Sequence, residues 1–282
     1  MKIFGIDVSR WQGDFDFTKA KAEGVKFVII KAGGADDGLY KDSKFEANYK
    51  AAKAAGLGVG VYFFGNAATT AEAEAEARYF ASIIQGKQYD YPVFYDVESD
   101  RMNVGKAKLS DIVRAFCNFM ENAGYWCGFY TNWDWYLYKL NGSDLAERYS
   151  FWFAYWADTM YQLPNVQMWQ PGKRLIGGVD TDYDECYIDY PSLIIPKGKN
   201  GYKKDEPKPT PKPEPKPEEL KKGDKIKIQK NAPIYDTDQT FASFVYETVY
   251  VVREISGNRV VFAPAMRGAI TGAVDKKYVI KV

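Results

Sequence analysis

Tyr91-Pro92-Val93-Phe94-Tyr95-Asp96-Val97-Glu98 is an apolar run that ends on two carboxylates. Its aromatic and β-branched residues predict a buried strand over Tyr91–Glu98. Residues two apart in a strand point to the same face. Asp96 and Glu98 are therefore expected on one side, with backbones about 6–7 Å apart. Like charges that close resist ionising together, so one carboxyl group keeps its proton near neutral pH. A glycosidase needs such a pair: one group protonates the leaving oxygen, and a carboxylate assists the other half of the reaction. Taken alone, the triplet is equally compatible with a solvated strand end before the turn Ser99-Asp100.

One missing residue type narrows the chemistry. There is no histidine in 282 residues. Ser-His-Asp and Cys-His hydrolysis lose their usual base, and histidine-ligated zinc is excluded. Cys117, Cys127 and Cys186 are too few for an all-cysteine zinc site. Their odd number and lack of framework spacing predict buried, reduced thiols. What remains for hydrolysis is carboxylate chemistry, with 37 Asp and Glu available.

On either side of the opening stretch, strands and helices alternate. Ile3–Val8, Lys26–Lys31, Gly58–Phe64, Tyr125–Thr131, Phe151–Tyr155 and Val166–Trp169 also read as buried strands. Thr69-Thr70 caps a helix over Ala71–Gln85, with Gly86 after it. The acidic face around Glu72–Glu76 is expected to be solvated. Ser110 is placed as the cap of the next helix, whose apolar Ile112, Val113, Phe116, Phe119 and Met120 follow helical spacing until Gly124. Strand spacings of about 30 residues fit βα units, in a parallel barrel or an open sheet. The later strands lie too close together for full helices between them.

The chain divides by composition. Residues 1–198 form the α/β part, 199–220 a Pro/Lys/Glu-rich linker, and 221–282 a small all-β body of SH3-like type. Proline alternates from Pro207 to Pro217, which favours an extended spacer of roughly 30 Å. The final segment reads as Lys225–Ile228, a strand over Tyr246–Val252, a hairpin around Gly257-Asn258, and short strands at Ile270–Val274 and Tyr278–Val282. It carries 11 Lys/Arg against 6 Asp/Glu, whereas the whole chain has a net charge of +1. An acidic α/β part with a basic tail does not fit a nucleic-acid binder; it fits a tail that meets an anionic surface. No apolar run reaches the ~20 residues of a membrane span. The start, Met1 to Asp7, lacks the shape of a signal peptide, so synthesis in the cytoplasm and later release are expected.

Several motifs together carry a family resemblance. They are Gly5-Ile6-Asp7-Val8-Ser9-Arg10-Trp11-Gln12-Gly13, Phe27-Val28-Ile29-Ile30-Lys31-Ala32, Gly58-Val59-Gly60-Val61-Tyr62, and Pro92 to Glu98. Gly128-Phe129-Tyr130-Thr131, Trp152-Phe153-Ala154, Met168-Trp169-Gln170 and Gly178-Val179-Asp180 complete the set. In this order, across residues 1–190, they resemble the glycoside hydrolase family 25 lysozymes, which are N-acetylmuramidases. With its linker and tail, the chain resembles a phage endolysin or related wall hydrolase. The resemblance implies an irregular parallel (β/α)5β3 barrel with its groove at the carboxyl ends of the strands. It implies cleavage of the β-1,4 bond between N-acetylmuramic acid and N-acetylglucosamine of bacterial peptidoglycan, with no cofactor or metal.

Carried over position by position, Glu98 is the general acid/base, assisted by Asp96. Asp7 and Asp180 complete the acidic site; Asp182 and Asp184 stand close enough to compete with Asp180. Tyr62, Tyr130, Trp152, Trp169, Lys31 and Gln170 are the candidate substrate contacts. Two positions depart from the family pattern: Phe63, where many members carry histidine, and Trp156, where many carry tyrosine. Both are expected in the groove region. The preferred mechanism is substrate-assisted, through the sugar's own 2-acetamido group; inversion, with Asp96 or Asp180 activating water, is the alternative. A chitinase-like or endo-N-acetylglucosaminidase barrel also uses an Asp-x-Glu strand, but Gly5–Gly13 argues against it. A catalytically silent wall-binding protein is disfavoured by the intact acids. Residues 221–282 are expected to bind an anionic or glycan component of the wall.

Overall fold

The computed structural model describes residues 2–204 and 220–282. The alternating prolines lie outside the described residues. Two compact bodies result, one within Met1–Glu206 and one within Pro207–Val282.

In the first body the strands are β1 (Ile3–Val8), β2 (Phe27–Gly34), β3 (Tyr40–Lys41), β4 (Gly58–Phe64), β5 (Val93–Asp96), β6 (Cys127–Asn132), β7 (Ser150–Ala154), β8 (Met168–Ile176) and β9 (Val179–Cys186). Between them run α1 (Phe17–Ala22), α2 (Phe45–Ala54), α3 (Thr70–Ile84), α4 (Lys106–Asn122) and α5 (Gly142–Arg148); α6 (Tyr190–Ile194) follows β9. Neighbouring strands run β1-β9-β8-β7-β6-β5-β4-β2, and β1 pairs with β2 to close an eight-stranded barrel. All pairs of the closed barrel are parallel except those of β9, which runs antiparallel to β8 and β1; the short β3 pairs antiparallel with β2 outside that ring. Five βα units followed by three strands is the expected architecture.

The period of two along each strand builds two apolar layers. Val59, Val61, Val93, Tyr95, Phe129 and Phe151 face outward, against helix residues such as Phe80, Ile112 and Phe116. Phe27, Ile29, Phe94, Trp152 and Met168 fill the barrel, with Tyr190 and Ile194 of α6 beneath them. Gly5 is required here: a Cβ at this position would lie 2.2 Å from the Phe27 ring.

The helix reading needs one correction. Thr69 caps α3 as expected, its side chain accepting from Glu72 N, but Ser110 does not cap α4. The helix begins four residues earlier, after Gly105, because Lys106-Ala107-Lys108-Leu109 are good helix formers. Ser110 is buried inside it, donating to Lys106 O at 2.7 Å and accepting from Asn141 N at 2.8 Å.

The barrel body also runs past residue 198. Asn200 is fully buried, and its side chain accepts from Trp126 N at 2.6 Å and donates to Tyr91 O at 2.8 Å. Its backbone O accepts from Tyr89 N, and its N donates to Gly124 O. Tyr202 Oη donates to Asp90 at 2.5 Å. Residues 199–202 therefore close the barrel rather than begin a spacer. Cys117, Cys127 and Cys186 are buried and unpaired.

The second body has β10 (Lys225–Ile228), α7 (Ser243–Glu247), β11 (Tyr250–Ser256), β12 (Arg259–Ala263), β13 (Gly272–Asp275) and β14 (Val279–Lys281). They form an antiparallel sheet in the order β13-β12-β11-β10-β14 around Ile226, Tyr250, Val252, Val260 and Phe262. The hairpin turns at Gly257-Asn258, with Ser256 opposite Arg259. Tyr246, expected at a strand start, lies in α7, where its hydroxyl accepts from Phe241 N and donates to Ala232 O.

Candidate active site

At the carboxyl ends of the parallel strands lies a pocket of about 570 Å³. Seven of the eight barrel strands send inward residues to the rim, all but β2: Asp7 from β1, Tyr62 from β4, Asp96 from β5, Tyr130 from β6, Trp152 from β7, Gln170 from β8 and Asp182 from β9. Glu98 stands two residues beyond β5, on the loop, yet lines the same pocket as Asp96. Val97 is anchored between them: its N donates to Tyr130 O, and its O accepts from Thr131 Oγ1. Trp152 forms an aromatic floor, with Tyr130 edge-on at 4.6 Å and Tyr62 at 6.0 Å. Asn132, Trp133, Asp134, Tyr155 and Trp156 from the ends of β6 and β7 extend one wall.

Gln170 organises the centre. Its Nε2 donates to Asp7 Oδ2 at 2.8 Å, and its Oε1 accepts from Tyr130 Oη at 3.1 Å and Trp156 Nε1 at 3.2 Å. Below them Trp152 Nε1 donates to the fully buried Asp184 at 2.8 Å. Buried Asp96 keeps Oδ1 without a hydrogen-bond partner, as does Oδ1 of Asp182.

Five carboxyl groups in so small a volume cannot all be ionised. Desolvation raises the pKa of Asp96, with further repulsion from Glu98 and then Asp7, against the attraction of Lys31. Burial raises Asp7, reinforced by Asp182 and opposed by the bond from Gln170. Asp184 is raised by burial and by Asp7. Glu98 is exposed to the solvent of the pocket, but surrounding protein still raises its pKa by desolvation, with Lys31 lowering and Asp182 raising it. Protons are thus retained within the cluster where ordinary carboxylic acids would have lost them.

The sequence profile of glycosyl hydrolases family 25 matches residues 6–174. The chain belongs to this family. The autolytic lysozyme of Clostridium acetobutylicum is 34% identical over 142 residues, 49% of this chain and 41% of the relative. Lysozyme M1 of Streptomyces globisporus is 32% identical over 198 residues, 64% of this chain and 66% of the relative. The chain therefore spans less than two thirds of the length of either. The crystal structure of the bacterial lysozyme from Streptomyces coelicolor superposes with a TM-score of 0.59 at 26% identity, over 71% of this chain and 98% of that one.

The barrel sorts the residues expected from family 25. Asp7, Tyr62, Asp96, Glu98, Tyr130, Trp152 and Gln170 line the pocket. Asp180 does not. It shares the inward parity of β9 but pairs with Leu175 on the β8–β9 hairpin, beyond the rim, and is exposed. Asp182, level with Asp7 across β1, takes its place. Trp169 faces the opposite way from Met168 and Gln170, into the layer between strands and helices, where its Nε1 donates to Tyr155 O. Phe63 likewise points outward, against Phe80 and Phe116, so only Trp156 of the two departures reaches the groove. Lys31 does not line the pocket; its ammonium lies over the rings of Phe64 (4.7 Å), Tyr62 and Tyr40, and its charge acts on Asp96 and Glu98 from behind.

The expectation of a solvated acidic helix face also fails at one residue. Glu74 is exposed, but Glu76 is buried against β5. Asp182, which the sequence offered only as a competitor of Asp180, stands 4.0 Å from Lys173 at the rim, and Lys173 had no motif to mark it. The pairing of Asp7 with Asp182 between β1 and β9 is what places Asp182 at the rim.

Proposed function

We propose that this chain is a muramidase that cleaves the β-1,4 bond from N-acetylmuramic acid to N-acetylglucosamine in peptidoglycan. One observation carries the reading. Glu98, solvent-exposed and with its pKa raised by desolvation, shares a pocket with Asp96, which is buried and offers an unpartnered oxygen. An acetamido N–H placed on that oxygen favours the ionised form of Asp96. The shared proton then resides on Glu98, where the leaving group can take it.

In the first step Glu98 protonates the glycosidic oxygen while the 2-acetamido carbonyl oxygen attacks the anomeric carbon. Asp96 holds the acetamido N–H and stabilises the positive charge that develops on that group. In the second step the Glu98 carboxylate removes a proton from water, whose oxygen attacks the same carbon and restores the acetamido group. Two displacements leave the anomeric configuration unchanged. Trp152, Tyr62 and Tyr130 offer apolar surface to the sugar face.

Digested cell walls, reduced and analysed by mass spectrometry, are expected to carry muramic acid at every new reducing end. N-acetylglucosamine at those ends would refute the bond assignment. NMR of the first product anomer is expected to show retention; inversion would transfer water activation to Asp182. Glu98→Gln is expected to lower turnover by about 10²–10⁴-fold, the range of general acid catalysis.

We further read residues 220–282 as an SH3-like wall-binding body, and the whole chain as an endolysin-type enzyme that reaches the wall after release from the cytoplasm. The reading is supported by the five antiparallel strands and by the excess of 11 Lys/Arg over 6 Asp/Glu in residues 221–282. Tethering would raise the local concentration of the barrel at an insoluble substrate.

A further inference from the structure

We propose that Glu76, behind the barrel wall, is a positioning residue that sets the backbone carrying Asp96 and Glu98. The proposal rests on the assignment of those two residues as the catalytic pair. Glu76 lies on the inner face of α3 and is only 5% exposed. Two donors from different elements converge on its carboxylate. Tyr95 Oη, from β5, donates at 2.6 Å, and Asn66 N, from the loop after β4, donates at 3.1 and 3.3 Å. Each donor leads to the catalytic segment. Tyr95 immediately precedes Asp96, and its ring stacks on Phe116 of α4 at 3.8 Å. Asn66 accepts from Ser99 Oγ at 2.5 Å, and Ser99 immediately follows Glu98. The neighbouring Gly65 N donates to Asp96 O at 2.9 Å.

The segment 96–99 is therefore held from two sides. Strand β6 grips Val97, and the loop after β4 grips Asp96 and Ser99. Glu76 anchors that loop. Arg101 completes the mooring by donating to Asn66 O while pairing with Glu72 at 2.9 Å. Above its raised pKa of about 7 the Glu76 carboxylate accepts both converging donors at once, whereas an amide must turn its NH₂ toward one of them. The charged groups facing Glu76 are Glu72 from its own helix, which raises its pKa, and Arg101 from the turn after β5, which lowers it. Burial is the largest influence, and the bonds from Tyr95 and Asn66 oppose it. Glu76 does not line the pocket, so its effect on catalysis passes through Tyr95, Asn66 and Ser99.

The test uses full-length protein and a soluble glycan fragment at pH 8, where Glu76 is ionised, with kcat and KM measured for Glu76→Gln, Ser99→Ala, Ser99→Thr and the Glu76→Gln/Ser99→Ala double variant. Misplacement of a catalytic group by about 1 Å costs up to 10²-fold, so Glu76→Gln and Ser99→Ala are each expected to lower kcat by about 10- to 100-fold. KM should stay within about twofold in both, because the aromatic floor is untouched. Ser99→Thr, which keeps the hydroxyl, should retain kcat within about twofold. The double variant should be no worse than the stronger single one, since both cut one chain of contacts. Full kcat in Ser99→Ala, or additive losses in the double variant, would overturn the proposal. If Glu76→Gln fails to fold, the contrast between Ser99→Ala and Ser99→Thr decides alone. Glu98→Gln runs in parallel: an active Glu98→Gln defeats the catalytic assignment, whereas an inactive Glu98→Gln beside a fully active Ser99→Ala defeats only the role of Glu76.

Discussion

Replacing Glu76 by Gln should change how the stability of the barrel depends on pH. Burial raises the folded-state pKa of Glu76 from the ordinary 4.5 to about 7. Between those values the folded chain holds a proton that the unfolded chain has released. The stability from this proton is complete below pH 4.5 and is lost as pH rises through about 7. The gap between the two pKa values corresponds to about 3 kcal/mol. The side chain is 5% exposed, so solvent screening removes little of it. Other buried acids, Asp7, Asp96 and Asp184, produce a slope of the same sign and mask the absolute effect. The difference between parent and Glu76→Gln isolates one group, because Gln does not titrate. All seven tryptophans lie at or before Trp169, so tryptophan fluorescence during urea unfolding reports on the barrel body. The advantage of the parent over the variant should shrink by about 3 kcal/mol between pH 4.5 and pH 8. A difference that stays constant across that range would refute the reasoning: Glu76 would then be ionised throughout, and its burial would carry no proton.

Three further outcomes are expected. Asp182→Asn should lower wall-lytic turnover by at least about tenfold, while Asp180→Asn stays within about twofold; the reverse ranking would return Asp180 to the site. Asn200→Ala strands the Trp126 N–H and the Tyr91 carbonyl, so chemical denaturation should show a loss of about 2–4 kcal/mol from the barrel, and a fragment ending at residue 198 should melt well below one ending at 204. A fluorescent protein fused to residues 220–282 should sediment with purified walls and be released by salt, with much of the attraction lost within a Debye length of about 8 Å near physiological ionic strength; a reporter that stays in the supernatant at low salt would refute wall binding.

Much of the site was legible because a strand writes its two faces into alternate residues. Asp96 and Tyr130 stand on strands that were apparent from their apolar runs, and both reach the pocket, although β5 ends at Asp96 and not at Glu98 as expected. The same alternation turns two of the expected groove residues away from the pocket. Trp169 stands between Met168 and Gln170, so an inward Gln170 requires an outward Trp169. Phe63 follows Tyr62 and turns away for the same reason. Asp180 has the correct parity but the wrong height. Height above the rim depends on pairing between β8, β9 and β1, and nothing local to Asp180 encodes that register.

By itself, the sequence determined the kind of chemistry, the order of elements and the division into an acidic barrel and a basic β body. Those properties follow from residue types and from patterns spanning a few residues, which act wherever the chain later places them. Only the tertiary structure decided which acid stands opposite Asp7, that Asn200 closes the barrel, and that Glu76 lies buried behind Tyr95. Each of those outcomes depends on groups brought together from distant segments: Asp7 meets Asp182 across 175 positions of chain, and Asn200 reaches Tyr91 across 109. Desolvation and hydrogen bonding act through space, so burial of a carboxylate and the proton it keeps are set by neighbours that the local sequence does not contain.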